Sequence, residues 1–325
     1  MIELSQIADA LDFRQDCLNR NLTPKTAKGY NSMAADYLQF AKPDIFSKET
    51  EYQEFKPSLI AYHNHLKNEK ELRYKTIKTR FTALNNYFEY LFDEDIISLN
   101  PVPQFRARYV REYKASETAR TQELELTDIE LLINTANNRL WRFVIAVYSL
   151  CGLRREELTE LDINCVDFEN RIFNVKAHPK RTNTRVPFTE QVLDLMLDYL
   201  ELRISKGDPL YPDSPLFLNE TFTNRLRPNR VLINLQRIAE RCGLHKPDSP
   251  RSEDKTTVKA LRHFFTYWFS ETEINPQYID ELRGDKRAES RADYIEIRTK
   301  RLIEEYRKYA PVLNIKIRKT NKLLF

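Results

Sequence analysis

The sequence predicts a mainly α-helical protein of two domains, the second carrying a small β-hairpin. Three observations lead there. Glycine is scarce, at 5 of 325 residues, while charged residues reach 31%, a balance that suits helices with one solvated face better than a nucleotide-cradling α/β sheet or a disordered chain. Apolar residues recur at helical spacing over most of the chain. The pattern breaks twice, at a basic stretch with two prolines over 100–120 and at short β-prone runs between 163 and 188.

The first hundred residues read as a run of amphipathic helices. In "NLTPKTAKGYNSMAADYLQFA", Thr23 is the expected N-cap and Pro24 the first helical residue, with apolar positions following through Met33, Tyr37, Leu38 and Phe40. "RYKTIKTRFTALNNYFEYLFDEDII" is a second helix. Its first turns carry Arg73, Lys75, Lys78 and Arg80 and its later turns Leu84, Tyr87, Phe88 and Leu91, so one end is basic and the other is core. A solvated helix end accounts for the basic turns equally well. "NPVPQFRARYVREYKASETAR", with five basic residues against two acids and weak periodicity, reads as a linker able to follow a phosphate backbone. The expected layout is a helical domain over 1–104, a basic linker over 105–121 and a second domain over 122–325.

Order restarts at "LTDIELLINTA", where Thr127 and Glu130 form a predicted capping box, and continues through "RLWRFVIAVYSLCGL". The runs from Ile172 to Val175 and from Arg185 to Phe188 flank a polar, basic connection and predict a hairpin; helices return after Thr189. The tail from Pro311 alternates apolar and basic residues and suits packing on a neighbouring protomer as well as a basic tail that touches DNA or nothing.

Composition excludes several classes. The longest apolar runs are too short to cross a bilayer, and "MIELSQIADALDF" lacks the basic-then-apolar layout of a signal peptide, so a cytoplasmic location is expected. Cys17, Cys151, Cys165 and Cys242 lie far apart without a C-x-x-C pair, which predicts reduced core thiols and neither a zinc site nor a disulfide framework. With no glycine-rich phosphate loop and no carboxylate cluster, no metal or other cofactor is expected. The net charge is only +4, yet residues 71–80 hold four basic residues against one acid and residues 176–185 hold four against none, local patches that suit a polyanion.

Four features of the second domain carry candidate chemistry. In "CGLRREEL", Arg154 follows Gly-Leu into a helix with Glu157 one turn on and on the same face; alone this is an ordinary helix start. The hairpin connection presents Lys176, Lys180, Arg181 and Arg185, alone a solvated turn. In "VKALRHFFTYWF", Lys259 and Arg262 share one face while Leu261, Phe264, Phe265 and Trp268 read as core. Finally "LRGDKRAESRADYIEI" sets one phenol, Tyr294, among arginines. That ring is either a surface tyrosine on a solvated helix or a nucleophile held toward its anion.

In this order and at these separations the four features resemble the tyrosine recombinase (phage integrase) family over nearly the whole chain. The resemblance implies an N-terminal helical, SAM-like core-binding domain and a mixed, α-rich catalytic domain with a small β-hairpin. It makes Arg154 the first catalytic arginine, Glu157 its acidic helper, Arg262 the second arginine in "LRH", and Tyr294 the nucleophile ten residues after Gly284. Lys259 stands where most of the family has histidine, resembling a variant among archaeal integrases. Lys180 fits the hairpin general acid best, with Lys176 as the alternative. Asp285 occupies a place that is usually histidine, and Lys286 or Arg287 is then expected to replace the lost phosphate donor.

The implied activity is site-specific DNA recombination through a 3′-phosphotyrosyl intermediate, with double-stranded DNA as partner. A homotetramer on paired sites is implied, formed from a monomer or weak dimer. The expected DNA contacts are Lys25, Lys28, Arg73, Lys75, Lys78, Arg80, Arg106, Arg108, Arg111, Arg181 and Arg185. Two alternatives stand beside this reading: a DNA-binding architectural protein of the same fold that has lost cleavage, and a type IB topoisomerase.

Overall fold

The computed structural model describes residues 10–41, 47–111, 120–177, 181–249, 251–285 and 299–317. Two compact units divide the chain at residues 118 and 119.

The first unit is helical: α1 (Ala10–Asn19), α2 (Pro24–Ala41), α3 (Tyr52–Asn64), α4 (Tyr74–Asp93) and α5 (Val102–Tyr109). Thr23 starts α2 as expected, its Oγ1 accepting from the Thr26 N–H at 3.2 Å. The core is largely aromatic, with Tyr37, Phe55, Tyr62, Phe81, Phe88 and Phe105 all buried, and rings of this size bury large apolar areas per residue. Leu84, Tyr87, Phe88 and Leu91 of α4 are buried as predicted, while Arg73, Lys75 and Lys78 at its start are exposed. Arg80 departs from that set. It donates to Asp36 Oδ2 at 2.7 Å and to the Tyr62 hydroxyl at 3.1 Å, so its guanidinium is committed within the unit.

The expected linker also starts too early. Residues 102–109 form α5, whose Val102 and Phe105 are buried in the first core, Phe105 stacked on Phe81 with centroids 5.3 Å apart. Arg106, Arg108 and Arg111 mask a helical apolar spacing that this core uses.

The second unit is built around α7 (Arg139–Cys151), which is buried on every side over its last nine residues, from Phe143 through Cys151. Against it pack α6 (Leu126–Thr135), α9 (Glu190–Ser205) and α11 (Val258–Ser270). The remaining helices are α8 (Arg155–Thr159), α10 (Pro228–Arg241), α12 (Pro276–Arg283) and α13 (Thr299–Tyr309). The predicted hairpin is present and is joined by a third short strand. The strands β1 (Val166–Asp167), β2 (Ile172–Asn174) and β3 (Arg185–Pro187) form an antiparallel sheet in that order, with Phe173 opposite Val186.

One local expectation is corrected. The capping box of α6 is Glu125 with Asp128, where the Asp128 carboxylate accepts from the Glu125 N–H at 2.9 Å, two residues before the Thr127 and Glu130 pair. Leu124 and Ile129, which flank this box, are both buried in the same core, and such a staple fixes the helix start. The tail over 311–317 packs on its own unit: Gln191 exchanges two hydrogen bonds with the Leu313 backbone at 2.7 and 2.8 Å, and Glu130 accepts from the Asn314 N–H at 2.6 Å. The four cysteines are free thiols, three of them buried. Among the described residues no helix is long and apolar enough to cross a membrane.

Candidate active site

Three chain reversals assemble the site. The first ends α7 at Gly152, in the left-handed region with φ 60°; a Cβ there would lie 2.7 Å from the Phe265 ring, so the turn and the packing both require glycine. The turn delivers Arg154 in extended conformation as the N-cap of α8. Glu157, at the third helical position, accepts from the Arg154 N–H at 2.7 Å and from Arg154 Nη1 at 2.7 Å. One carboxylate thus caps the helix and holds the guanidinium.

The second reversal ends α12. Asn275 caps its start by accepting from the Gln277 N–H at 2.9 Å, and Gly284 ends it with φ 62°. The Asp285 N–H returns to the Asp280 carbonyl at 3.0 Å, which fixes the Asp285 backbone at the mouth of the site.

The third is the connection into β3, which folds onto the same turn: the Thr182 N–H donates to the Gly284 carbonyl at 3.3 Å and Asn183 Nδ2 to the Glu281 carbonyl at 3.2 Å. Arg181 lies beneath. Its side chain is fully buried and donates to Glu157 Oε2 at 2.8 Å and to the Arg283 carbonyl at 3.3 Å. A Cβ at Gly284 would come within 2.7 Å of Arg181 Cγ. Arg181 is therefore an internal strut, and the expectation that it contacts DNA is corrected: no part of its guanidinium reaches solvent.

Arg262 enters from α11. Thr257 caps that helix, and the burial of Leu261, Phe264 and Phe265 on the core side leaves Arg262 facing the two glycine turns. Its Nη1 donates to the Gly152 carbonyl, and its Nη2 to the Arg283 carbonyl at 3.0 Å and to Asp285 Oδ1 at 2.9 Å. Arg154 Nη2 donates to the same Oδ1, while Arg283 Nη2 pairs with Oδ2 at 2.9 Å. Two guanidiniums from separate helices converge on one carboxylate oxygen. This is the geometry that clamps an oxyanion, because the planar fork of each arginine stays charged and aims two donors.

Exposure is graded across the cluster. The Arg181 and Glu157 side chains are 0% and 8% exposed, Arg262 12%, Arg154 27% and Asp285 30%. The inner pair is sealed and the outer carboxylate meets solvent. Burial by itself would raise the Glu157 carboxyl, but Arg181 and the two Arg154 donors outweigh it and hold it below its ordinary value. Burial pushes the Arg262 guanidinium down to about 10, with the Asp285 charge opposing.

The structure brings together Arg154, Glu157, Arg262 and Asp285 of the expected set. Lys259 is exposed one helical turn before Arg262. Lys176 is drawn away to Asp162, at 3.0 Å, beside Arg225 on the same carboxylate. Lys180, Lys286, Arg287 and Tyr294 lie outside the described residues. Among the expected DNA contacts, Lys25, Lys28, Arg73, Lys75, Lys78, Arg108, Arg111 and Arg185 are exposed, and Lys78 lines with half-buried Arg106 an open groove between α4 and α5. Sequence reasoning missed Arg283 and the strut role of Arg181. The available signal was the scarcity of glycine, since Gly284 packs against Arg181 and directly follows Arg283.

Residues 122–301 match the phage integrase family, and residues 11–98 match the phage integrase N-terminal SAM-like domain. Tyrosine recombinase XerC of Actinobacillus succinogenes is 23% identical over 89% of this chain and 92% of its own length, and XerC of Herpetosiphon aurantiacus is 26% identical over 82% and 83%. Among solved structures, the Tn1549 transposon integrase in complex with circular intermediate DNA superposes with a TM-score of 0.62 at 19% identity, covering 92% of this chain and 97% of that one. A lambda integrase dimer bound to a COC′ core site gives 0.62 at 18% identity, covering 91% and 99%. The fold is that of the tyrosine recombinases, enzymes that break and rejoin DNA. The chain belongs to the phage integrase family.

Proposed function

We propose that this protein is a site-specific DNA recombinase that cleaves through a 3′-phosphotyrosyl intermediate, with Tyr294 as nucleophile. The observation that carries the reading is the convergence of Arg154 and Arg262 on one anionic oxygen. Attack on a phosphodiester builds charge on the non-bridging oxygens, and preorganised guanidiniums stabilise that charge without reorganising. Tyrosine is about three units from ionising at pH 7, a cost of roughly 4 kcal/mol, and neighbouring cations lower it. In this reading Lys180 protonates the leaving 5′ oxygen. The position of Lys176 on Asp162 supports Lys180 over its alternative. Lys259, exposed one turn before Arg262, donates to the phosphate or assists as base, in the manner of the archaeal variant. The phosphotyrosyl link conserves the energy of the broken bond, so a second DNA end rejoins by attacking it.

The partner is duplex DNA in the cytoplasm. The exposed cations at the start of α4 and the Lys78 and Arg106 groove follow its phosphates, and strand exchange assembles four protomers on paired sites. The test is a duplex carrying the chromosomal or element site adjoining the gene, nicked next to the scissile phosphate so that the cleaved end diffuses away. A covalent protein–DNA adduct is expected, and Tyr294→Phe abolishes it. An adduct that persists in the variant overturns the assignment of the nucleophile.

A further inference from the structure

We propose that Asp285 is an internal stand-in for the scissile phosphate, a positioning residue that holds Arg154 and Arg262 converged in the DNA-free protein and leaves their seat when the phosphodiester enters. The inference rests on the reading that these two arginines take that phosphate.

The geometry supports each part of it. Asp285 Oδ1 accepts from Arg154 Nη2 and, at 2.9 Å, from Arg262 Nη2, so a carboxylate oxygen fills the place where the two forks cross. A carboxylate and a phosphodiester offer the same thing to such forks, a pair of anionic oxygens on one centre. Without an anion there, two guanidiniums would face each other across a partly dry seat, and Arg262, 12% exposed, would bear that repulsion most. The burial that pushes Arg262 down is opposed first by the Asp285 charge.

Release is built in as well. Oδ2 already pairs with Arg283 Nη2 at 2.9 Å, and the side chain is 30% exposed, so the carboxylate keeps one cation partner and gains water when it turns out of the clamp. The backbone need not move, because the Asp285 N–H is tied to the Asp280 carbonyl at 3.0 Å. Glu157, by contrast, is sealed against Arg181 and caps α8, so it stays in place through the exchange. Asp285 is an acceptor at a seat of converging donors, so it must give way to the phosphate that enters.

Inorganic phosphate tests this on the full-length chain without any DNA. Thermal unfolding is followed by tryptophan fluorescence in the wild type and in Asp285→Asn, each titrated with phosphate against sodium chloride of equal ionic strength. The expected result is that Asp285→Asn melts lower than the wild type in chloride and recovers in phosphate, with an apparent affinity about tenfold tighter than that of the wild type, the order expected for removing one charged competitor. Asp285→His is run in parallel and serves as the readout if the asparagine variant does not fold. Equal phosphate responses in wild type and variants, or no response in any of them, would overturn the proposal. Failure of the Tyr294 adduct assay would instead sink the recombinase reading and leave this measurement standing on its own.

Discussion

Replacing Glu157 by glutamine keeps the volume of the side chain and removes its charge, and the structure makes the cost of that change calculable. Glu157 is the anionic partner of Arg181, whose side chain is fully buried, and of Arg154. Removing one member of a buried pair leaves the other uncompensated, a loss of about 3–5 kcal/mol. The Arg181 fork retains carbonyl acceptors at Arg283 and Asn183, which sets the expectation at the lower end, about 3 kcal/mol. In a unit of some 200 residues that is a fall in Tm of roughly 6–12 °C. Trp141 and Trp268 are the two tryptophans of the chain, and both belong to the second unit. Fluorescence therefore reports this unit alone. The sign with pH follows from the depressed carboxyl: its contribution is complete above the ordinary value of 4.5 and is lost as pH falls below it. The gap between wild type and Glu157→Gln must accordingly close in acid. The double variant Glu157→Gln/Arg181→Met, which removes both charges, should recover much of the loss. A single-variant cost under about 1 kcal/mol at pH 7, or a double variant as unstable as the sum of its parts, would refute the reasoning.

Gly284→Ala places a methyl group 2.7 Å from Arg181 Cγ at a residue with φ 62°; it should destabilise the second unit by about 1–3 kcal/mol in denaturant titration and lower adduct formation in parallel. On DNA, Lys78→Ala and Arg106→Ala should each flatten the slope of log affinity against log salt by about one. Arg80→Ala, which removes a guanidinium tied to Asp36 and Tyr62, should leave that slope unchanged and lower stability instead, a contrast read from binding titrations at several salt concentrations together with melting.

Long amphipathic helices were legible from their periodicity, as α4 shows: its basic start and apolar end fall where the spacing puts them. The short helix α5 was not. In α5 three apolar contacts are spread among arginines over 8 residues, too few turns for a period to rise above the local charge. The α6 cap was misplaced because Glu125 and Asp128 repeat the three-residue spacing of Thr127 and Glu130, and only the burial of Leu124 against the core decides between them. At the site, Arg154 and Arg262 were singled out by the family resemblance of four features in order, each ordinary alone, and the structure brings both onto Asp285. The strut role of Arg181 was not legible, since its burial depends on a carboxylate 24 residues upstream and on a carbonyl 102 residues downstream. No window along the chain contains that information.

The contrast between the two carboxylates explains how an arginine-rich site holds together. Arg154, Arg181, Arg262 and Arg283 share Glu157 and Asp285, four positive charges against two negative. Sealing both acids would leave no seat for a phosphate, and exposing both would leave the buried Arg181 without an inner counter-charge. Placing Glu157 inside and Asp285 at the mouth divides the work: the inner acid fixes the frame, and in the proposed exchange the outer one keeps Arg154 and Arg262 converged. Under the proposed function, the surplus of two positive charges attracts the phosphodiester and meets the charge that develops as it is attacked. Substituting the inner acid should therefore be read out chiefly in stability, and substituting the outer one in anion affinity, so that exchanging those two phenotypes between Glu157 and Asp285 would contradict the division.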